Sequence, residues 1–331
     1  MITPAYRYTI GSAVVDTTRD AQASTVVELV VSLDLDAAAD TATLALGQVG
    51  TLAPARGDGA TVSLGYADDA GSMTRVLTGT VDAVEPGLVH SHVTIVSGAA
   101  LRRTRVERTF ESQTAGAIIR ALAADAGVTV ATIDDGIAFP AYVVDGRRPV
   151  HRHMRDLAEL SGLDLWTDHD GRLTCRRFTG GTTVHVLEHA KHVLALEIDR
   201  TTAFGGAVEA WGESPTGSAG DDAWGWLTPD FSGSRGTSGT GGRVLLERPA
   251  LRTREGARAA AEALATVLQR RTLRGTVLTY GSPQIALGDA VRFRSLPDAS
   301  MNTSFQVRRV VHRITKTGGF TTTVGFRSIA P

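Results

Sequence analysis

The stretch that decides the fold is RTFESQTAGAIIRALAADAGV, residues 108–128, which lies between β-rich sequence on either side. Its apolar residues recur at intervals of three and four from Gln113 to Ala126, a spacing that predicts an amphipathic helix. Ser112 is placed to cap the start of this helix, and Gly127 to end it in a left-handed conformation. A helix here indicates an α/β module inside a β-rich chain.

A second helix and a hairpin follow in MRDLAELSGLDLWTDHDGRLTC, residues 154–175. This helix is predicted to begin after Pro149, to bury one apolar face and to stop at Gly162. Asp170-Gly171 then separates two short apolar runs, and this dipeptide tolerates the positive φ angles of a type I′ turn. The sequence therefore predicts a helix that leads directly into a tight hairpin.

Composition narrows the class of protein. A chain of 331 residues with 42% hydrophobic and 21% charged residues is expected to form two or three globular domains. Its formal net charge of −1 argues against a protein that binds nucleic acid by neutralising phosphates. The single cysteine, Cys175, excludes an intramolecular disulfide, and its alternating neighbours indicate an inward-facing strand residue.

The sequence carries no sign of export or membrane insertion. The N-terminus lacks a basic region followed by an apolar one, and no apolar run approaches the roughly 20 residues that cross a bilayer. We expect synthesis in the bacterial cytoplasm without a signal peptide, and no stable membrane insertion.

Both ends of the chain are rich in short strands, which favours small closed barrels over a parallel sheet. Residues 27–35 alternate strictly between apolar and other residues, as in a half-buried strand. Further strands are predicted at Ala42–Leu46, Thr61–Tyr66, Val76–Val84, His92–Val96, Ala195–Asp199, Ala207–Trp211, Gly275–Tyr280, Ala290–Arg294, Phe305–Ile314 and Phe320–Arg327.

We therefore predict a β-rich α+β fold with two tandem barrels and an α/β module between them. The predicted domains are a tube-like first barrel (1–100), the module (101–178) and a second barrel (179–331). The second barrel is expected to carry a helix over 254–273 and a Gly/Ser-rich loop over 213–243.

Trp224 and Trp226 stand out in that polar loop. They either pin the loop to the body of the protein or form an exposed contact for a partner. They are the candidate partner contacts of this sequence.

A weak internal repeat links the two β regions. Gly57-Asp58 and Gly288-Asp289 each precede an alternating strand, and each is followed by a second strand, a turn and a closing strand. Gly-Asp begins many strands, but the shared order over several elements favours two copies of one barrel.

No catalytic or cofactor motif emerges. His185, His189 and His192 have helical metal-ligand spacing, but their neighbours indicate a strand, which would scatter the imidazoles. His151 and His153 are expected to be solvated on different helix faces. The paired carboxylates at 68–69, 134–135 and 221–222 lie in turn-like sequence, where Asp is common for its local hydrogen bonds. We predict no catalytic residues, no metal and no cofactor.

Several of these segments resemble one protein family. Residues 108–128 and 154–165, the Asp170-Gly171 hairpin and the two Gly-Asp strands are similar to the phage late control protein D family, the baseplate hub of contractile tails. The resemblance spans most of the chain, though no single motif is diagnostic. The chain departs from the family at Val150-His151-Arg152-His153, where an aromatic residue is common, and in the Gly/Ser-rich loop.

The resemblance implies a hub with two similar barrels that assembles as a homotrimer. Three copies of two barrels would form a pseudo-sixfold ring between a sixfold inner tube and a threefold spike, in contact with other baseplate proteins. Because the sequence ends at Pro331 without a spike, unlike the fused VgrG hubs, a separate spike partner is expected. The ring would belong to a phage tail or to a contractile injection particle.

Two other functions compete with the hub. A wall-degrading hydrolase on a tail tip would carry a lysozyme-like or peptidase-like block, and none is present. A monomeric carbohydrate-binding module would display several exposed aromatics, whereas aromatic residues make up only 5% of this chain.

Overall fold

The computed structural model describes residues 3–19, 26–47, 53–68, 73–212 and 232–329. Trp224, Trp226 and the paired aspartates at 221–222 lie outside these residues. The part of the predicted loop that is described contains strand rather than loop alone. No helix in the described part of the chain is long and apolar enough to cross a membrane.

Strands dominate the two ends of the chain. The first half contains β1 Pro4–Ile10, β2 Ala13–Asp16, β3 Val26–Asp34, β4 Thr41–Gly47, β5 Gly59–Tyr66, β6 Thr74–Glu85 and β7 His90–Val96. The second half contains β13 Val184–Glu188, β14 Val193–Arg200, β18 Leu273–Tyr280, β19 Ala290–Arg294, a short 3-10 helix Ala299–Met301, β20 Ser304–Thr315 and β21 Gly319–Ser328.

The helices and the remaining strands lie either between these halves in the chain, up to residue 176, or between β14 and β18. They are α1 Ala99–Arg103, β8 Arg108–Thr114, α2 Ala115–Asp125, β9 Val130–Ile133, β10 Ala138–Val144, α3 Val150–Ser161, β11 Asp164–Thr167, β12 Leu173–Arg176, β15 Ala207–Trp211, β16 Arg235–Ser238, β17 Arg243–Glu247 and α4 Arg254–Arg270. The β-rich fold predicted from the sequence is confirmed.

The two β halves belong to one 13-stranded sheet. Its path runs β14-β18-β21-β20-β3-β4-β7-β6-β5-β1-β2, and β19 joins β13 to β20. Apolar side chains of both halves form a single buried cluster, so the predicted barrels share one core. Tyr66 reinforces the junction, since its hydroxyl donates to the Gly281 carbonyl oxygen at 2.8 Å.

A second core lies in the α/β module. Ile118, Ile119 and Leu122 of α2 are fully buried there with Met154 and Leu157 of α3. Three small sheets, β8-β10, β9-β12-β11 and β16-β15-β17, accompany these helices.

The helix α4 packs into this second core. Ala257, Ala260 and Ala261 of α4 are buried with residues of α2, α3 and β15. The sequence placed this helix in the second barrel, and the structure corrects that placement. Its alanine stripe allows close approach, as expected, but the surface it meets is α3 and the β16-β15-β17 sheet. The helix also ends at Arg270, because residue 273 already begins β18.

The start of α2 differs from the prediction. The helix begins at Ala115, and Thr114 caps it by accepting a hydrogen bond from the Ala117 amide at 3.2 Å. Ser112 lies instead in β8, with a positive φ of 50°. Residues 113 and 114 pair with β10 and are therefore unavailable to the helix. The predicted end is confirmed, with Gly127 at φ 66°.

The hairpin after α3 is present, but its turn is longer than a type I′ turn. The strands β11 and β12 pair antiparallel up to Thr167 and Leu173, so five residues connect them. The Asp168 side chain accepts hydrogen bonds from the amides of Asp170 and Arg172, and Gly171 adopts a φ of 78°. The Asp168 side chain holds the turn together, and Asp170-Gly171 are only the third and fourth of its five residues.

Candidate interaction surface

The internal repeat predicted from the two Gly-Asp strands extends to the whole of each half. The first half follows the strand path β3-β4-β7-β6-β5-β1, and the second follows β14-β18-β21-β20-β19-β13. If the six strands of each unit are numbered in chain order, the two units arrange them in the same spatial order. One pairing differs, since β1 lies antiparallel to β5 whereas β13 lies parallel to β19.

The two Gly-Asp corners have matching hydrogen bonds. The Asp58 carboxylate accepts from the Ala55 amide at 2.9 Å, and the Asp289 carboxylate accepts from the Ala286 amide at 3.1 Å. The glycines before them adopt φ angles of 95° and 87°, a region that glycine enters without steric cost. The carbonyl oxygen of each aspartate then accepts from a valine of the next long strand, β6 or β20.

The β-bulges also coincide. The register shifts between Val81 and Ala83 in β6, and between Val307 and Arg309 in β20. A second pair of shifts occurs at the start of β3 and at the start of β14. Because a bulge sets the twist and bend of its strand, shared bulges indicate two copies of one structural unit.

The junction between the two units is the β3–β20 ladder. Seven residue pairs join them, from Arg309 opposite Asp34 to Thr315 opposite Glu28. The Arg313 guanidinium contacts the Glu28 carboxylate at 2.7 Å across this ladder. The β3–β20 ladder therefore shows, within one chain, how one unit can pair with another.

The strand that corresponds to β3 in the second unit is β14, and it lies at the end of the sheet. When the β14–β18 ladder is aligned with the β3–β4 ladder, Ile198 corresponds to Val31. Val31 is fully buried, whereas 39% of Ile198 is exposed. Within the described residues, β14 pairs only with β18, so its outer edge is open.

The strand that corresponds to β20 in the first unit is β6. Its ladder with β5 ends at Thr80, so residues 82–85 have no strand partner on that side within the described chain. The turn that follows carries Leu88 and Val89, which are 98% and 68% exposed. We call residues 82–89 the β6 edge and residues 193–201 the β14 edge.

The residues singled out for chemistry serve structural roles. The His185 Nε2 lies 2.9 Å from an Asp289 carboxylate oxygen, and the His192 Nδ1 accepts from the Glu188 amide at 3.0 Å. Residues 184–188 form a strand, as predicted from their neighbours, and His189 and His192 follow it. In the described part of the chain, no three His, Cys, Asp or Glu side chains are arranged to hold a metal.

His153 corrects the expectation that the α3 histidines are solvated. It is fully buried, and its ring packs edge-on against Tyr142 with centroids 6.2 Å apart. His151 is half-buried, and desolvation together with nearby arginines lowers its pKa to about 4. The α3 helix buries more of its polar surface than its sequence suggests.

Cys175 faces inward from β12, as predicted. Burial raises the pKa of its thiol to about 12, which disfavours the thiolate. The pair Asp134 and Asp135 forms local contacts, with Asp134 accepting from the Arg177 amide and Asp135 paired to Arg120. Asp68 accepts from the Thr3 amide, and Asp69 lies outside the described residues.

Comparison with solved structures identifies the fold. A tail protein of prophage MuSo2 from Shewanella oneidensis matches with a TM-score of 0.71 and 15% identity over 98% of both chains. A tail protein from Neisseria meningitidis matches with a TM-score of 0.70 and 11% identity, over 99% of this chain and 97% of that one. The chain has the tail-hub fold.

A third structure extends the similarity to secretion systems. An Escherichia coli component of the type VI secretion system, described as similar to the T4 tail proteins gp27 and gp5, matches with a TM-score of 0.62 and 11% identity. The match covers 92% of this chain and 74% of that one. No protein-family model matches the sequence, and no curated protein shows a significant match.

Proposed function

We propose that this protein is a structural baseplate hub of a phage tail or contractile injection system. Three copies form a pseudo-sixfold ring that joins a sixfold inner tube to a threefold spike. The observation that carries the proposal is the pair of units with one strand order and matching bulges. A closed trimer of such a chain presents six similar units, and head-to-tail contacts form a closed ring when the rotation between copies closes.

The β3–β20 ladder supplies a template for the contact between copies. If the second unit meets the next copy as the first unit meets the second, the β14 edge lies along the β6 edge of a neighbouring chain. The corresponding registers place Thr201 opposite Ala83, and Leu196 opposite Leu88. The exposed apolar side chains Leu88 and Ile198 would then become buried.

The sequence of the β6 edge limits this ladder. Pro86 has no amide hydrogen to donate, and β6 ends at Glu85. The hydrogen-bonded part therefore covers residues 83–85 against 199–201, and the turn with Leu88 contributes side-chain contacts. A short ladder with an apolar flank suits an interface that closes during assembly, because it leaves little exposed edge beforehand.

The proposed role is structural and needs no chemistry from the chain. The partners are two further copies, a separate spike protein, the inner tube protein and other baseplate proteins. The particle is either a phage tail or a related injection device, and its hub is built from chains made in the cytoplasm.

Disulfide trapping tests the ring and its register together. Directly opposed residues in an antiparallel pair have Cβ atoms about 4.5–5.5 Å apart, close to the separation that a disulfide tolerates. We would introduce Ala83→Cys and Thr201→Cys into one Cys175→Ser chain, with each single variant as a control. Mild oxidation, alone and with the spike partner, should yield a covalent trimer from the double variant only.

Light scattering, together with the crosslinking result, tests the trimeric hub separately from the strand register between its copies. A strict monomer with and without the spike partner contradicts the hub. A trimer that never crosslinks keeps the hub but contradicts the strand register. Clearing of peptidoglycan in a zymogram, abolished by one Asp or Glu substitution, would contradict a purely structural role.

A further inference from the structure

A cleft of about 300 Å³ lies where the module meets the second unit. The helices α3 and α4 form two of its walls, and the strands β20 and β21 contribute arginines to another. Leu163, Leu264 and Val267 line part of it with apolar surface. The cleft therefore offers both apolar and charged contacts. It borders the β14 edge, because the Thr201 hydroxyl donates to the carbonyl oxygen of Arg271, which lines the cleft.

Positive charge exceeds negative charge in this cleft. Seven arginines line it against four carboxylates, and its one histidine, His151, is neutral near pH 7. Two of the carboxylates, Asp36 and Asp164, are already engaged by Arg308. The side chains of Arg308 and Asp164 are only 12% and 16% exposed, so solvent screens this charge less than at an open surface.

Two guanidinium groups in the cleft have donors without acceptors. Within the described residues, the Nε atoms of Arg270 and Arg308 are buried and have no hydrogen-bond partner. Buried donors are nearly always satisfied, so an unsatisfied pair in a cleft indicates a place for a water or a ligand oxygen. Arg270 is the stronger indication, because Arg308 already holds two carboxylates through its other nitrogens.

The arginines also repel one another. Burial, with help from nearby Arg308, lowers the pKa of Arg327 to about 10, and burial likewise lowers the pKa of Arg270, to which Arg177 and Arg308 contribute. The C-terminal end of α4 is at Arg270, and the dipole of this helix offsets part of the positive charge, by roughly half an elementary charge. A positive excess remains, and a bound anion would relieve it.

We propose that this cleft binds an acidic peptide segment of a partner protein. A Glu or Asp carboxylate of the segment accepts hydrogen bonds from Arg270 and Arg327, and a neighbouring apolar side chain packs on Leu264 and Val267. Carboxylates are favoured because guanidinium groups bind them through paired, charge-assisted hydrogen bonds. The apolar wall favours a peptide over a small inorganic anion. This inference does not depend on the proposed ring.

Calorimetric titration of the full chain tests the site with defined probes. The probes are acetyl-Ser-Glu-Leu-Glu-Ser-amide, its glutamine counterpart acetyl-Ser-Gln-Leu-Gln-Ser-amide, and inorganic phosphate. We expect saturable binding of the glutamate peptide, at least tenfold weaker binding of the glutamine peptide and of phosphate, and a steep loss of affinity with added salt.

Substitutions locate the binding. Arg270→Gln should weaken the glutamate peptide by at least tenfold while the melting temperature stays close to that of the unmodified protein. Arg258→Gln is the matched control, since Arg258 lies on the same helix but pairs with Glu262 outside the cleft. Equal binding of the two peptides, or unchanged binding by Arg270→Gln, would overturn the proposal. Phosphate binding as tightly as the glutamate peptide would overturn the peptide assignment.

Discussion

The two β units differ mainly in what covers one edge and in what is inserted at one turn. In the first unit, β3 is covered by β20, and a short turn over residues 35–40 leads to β4. In the second unit, the outer edge of β14 has no strand partner among the described residues, and residues 201–272 intervene before β18. The same strand order thus supports an internal junction in one unit and a free edge in the other.

The inserted residues explain why the second unit is tied to the module. They contain β15, β16, β17 and α4, and buried side chains of β15 and α4 join those of α2 and α3 in the second core. The first unit contacts the module through smaller contacts, such as the Arg155 guanidinium bonds to backbone carbonyl oxygens at residues 35–37. The insertion therefore packs against the module and ties the second unit to it.

The covered edge should be essential for folding. Val31→Asp would place a carboxylate in a fully buried position of β3 with no partner provided for it. Burial of an unpaired charge costs several kcal/mol, so we expect a loss of about 4 kcal/mol or more, with little folded protein at 37 °C. Circular dichroism during urea unfolding measures this. A cooperative transition near that of the unmodified protein would contradict the β3–β20 junction.

The open edge should matter for assembly instead. Ile198→Asp changes the residue that corresponds to Val31, but at a site already 39% exposed. We expect a change in unfolding free energy below about 1 kcal/mol and loss of the trimer in light scattering with the spike partner. The two substitutions form a matched pair, so equal effects on folding would remove the distinction between the edges.

A buried carboxyl beneath the short turn gives the first unit its own pH dependence. Asp40 accepts from the Asp34 amide and contacts Thr167 of the module, and burial raises its pKa to about 7. An acid whose folded pKa exceeds the unfolded value stabilises the fold at low pH, and this contribution is lost as the pH rises from about 4 to about 7.

The Asp40→Asn variant should therefore become more stable relative to the unmodified protein as the pH rises. The difference in unfolding free energy between the two proteins should be on the order of 2–4 kcal/mol larger at pH 8 than at pH 4. Urea unfolding at several pH values measures the difference. The control is Asp82→Asn, a partly exposed carboxylate of β6 that pairs with Arg103. A constant difference between the Asp40 variant and the unmodified protein across pH would contradict the buried, neutral Asp40.

The Gly-Asp corners of the two units also differ in how deeply they are buried. Asp289 is buried and serves the Thr183 and Ala286 amides and His185, whereas Asp58 serves the Ala55 amide on a more open surface. We expect Asp289→Ala to cost about 2–3 kcal/mol and Asp58→Ala about 1 kcal/mol, because more buried donors lose their acceptor in the second unit. Thermal unfolding of the two variants measures this order, and its reversal would contradict the idea that the number of buried donors sets the cost.

The sequence predicted the local elements and the repeat, because these depend on period-two alternation, helical spacing and Gly-Asp corners. It did not predict that β3 pairs with β20, since strands so far apart in the chain leave no local signal of their pairing. The position of α4 was missed for the same reason, as an alanine stripe indicates close packing but not the partner surface. Arg270 belongs to the last turn of a helix, where a basic residue is ordinary, and only the fold places it beside Arg308 and Arg327.

The smallest effect on stability is expected in the inserted segment, at the two tryptophans outside the described residues. The predicted loop over 213–243 contains β16, which pairs with β15, so replacing the whole loop would also remove part of the small sheet. A double Trp224→Ala and Trp226→Ala variant is a cleaner test. If these side chains contact a neighbouring subunit or the spike, the variant should melt within about 2 °C of the unmodified protein and yet assemble poorly with the spike partner. If they pin the loop to the body, the melting temperature should fall by several degrees through lost aromatic burial. Trp211→Ala, which removes the half-buried indole packed beneath Arg235, is the control for a tryptophan anchored within the fold. Normal assembly together with an unchanged melting temperature would contradict both readings and make the tryptophans dispensable.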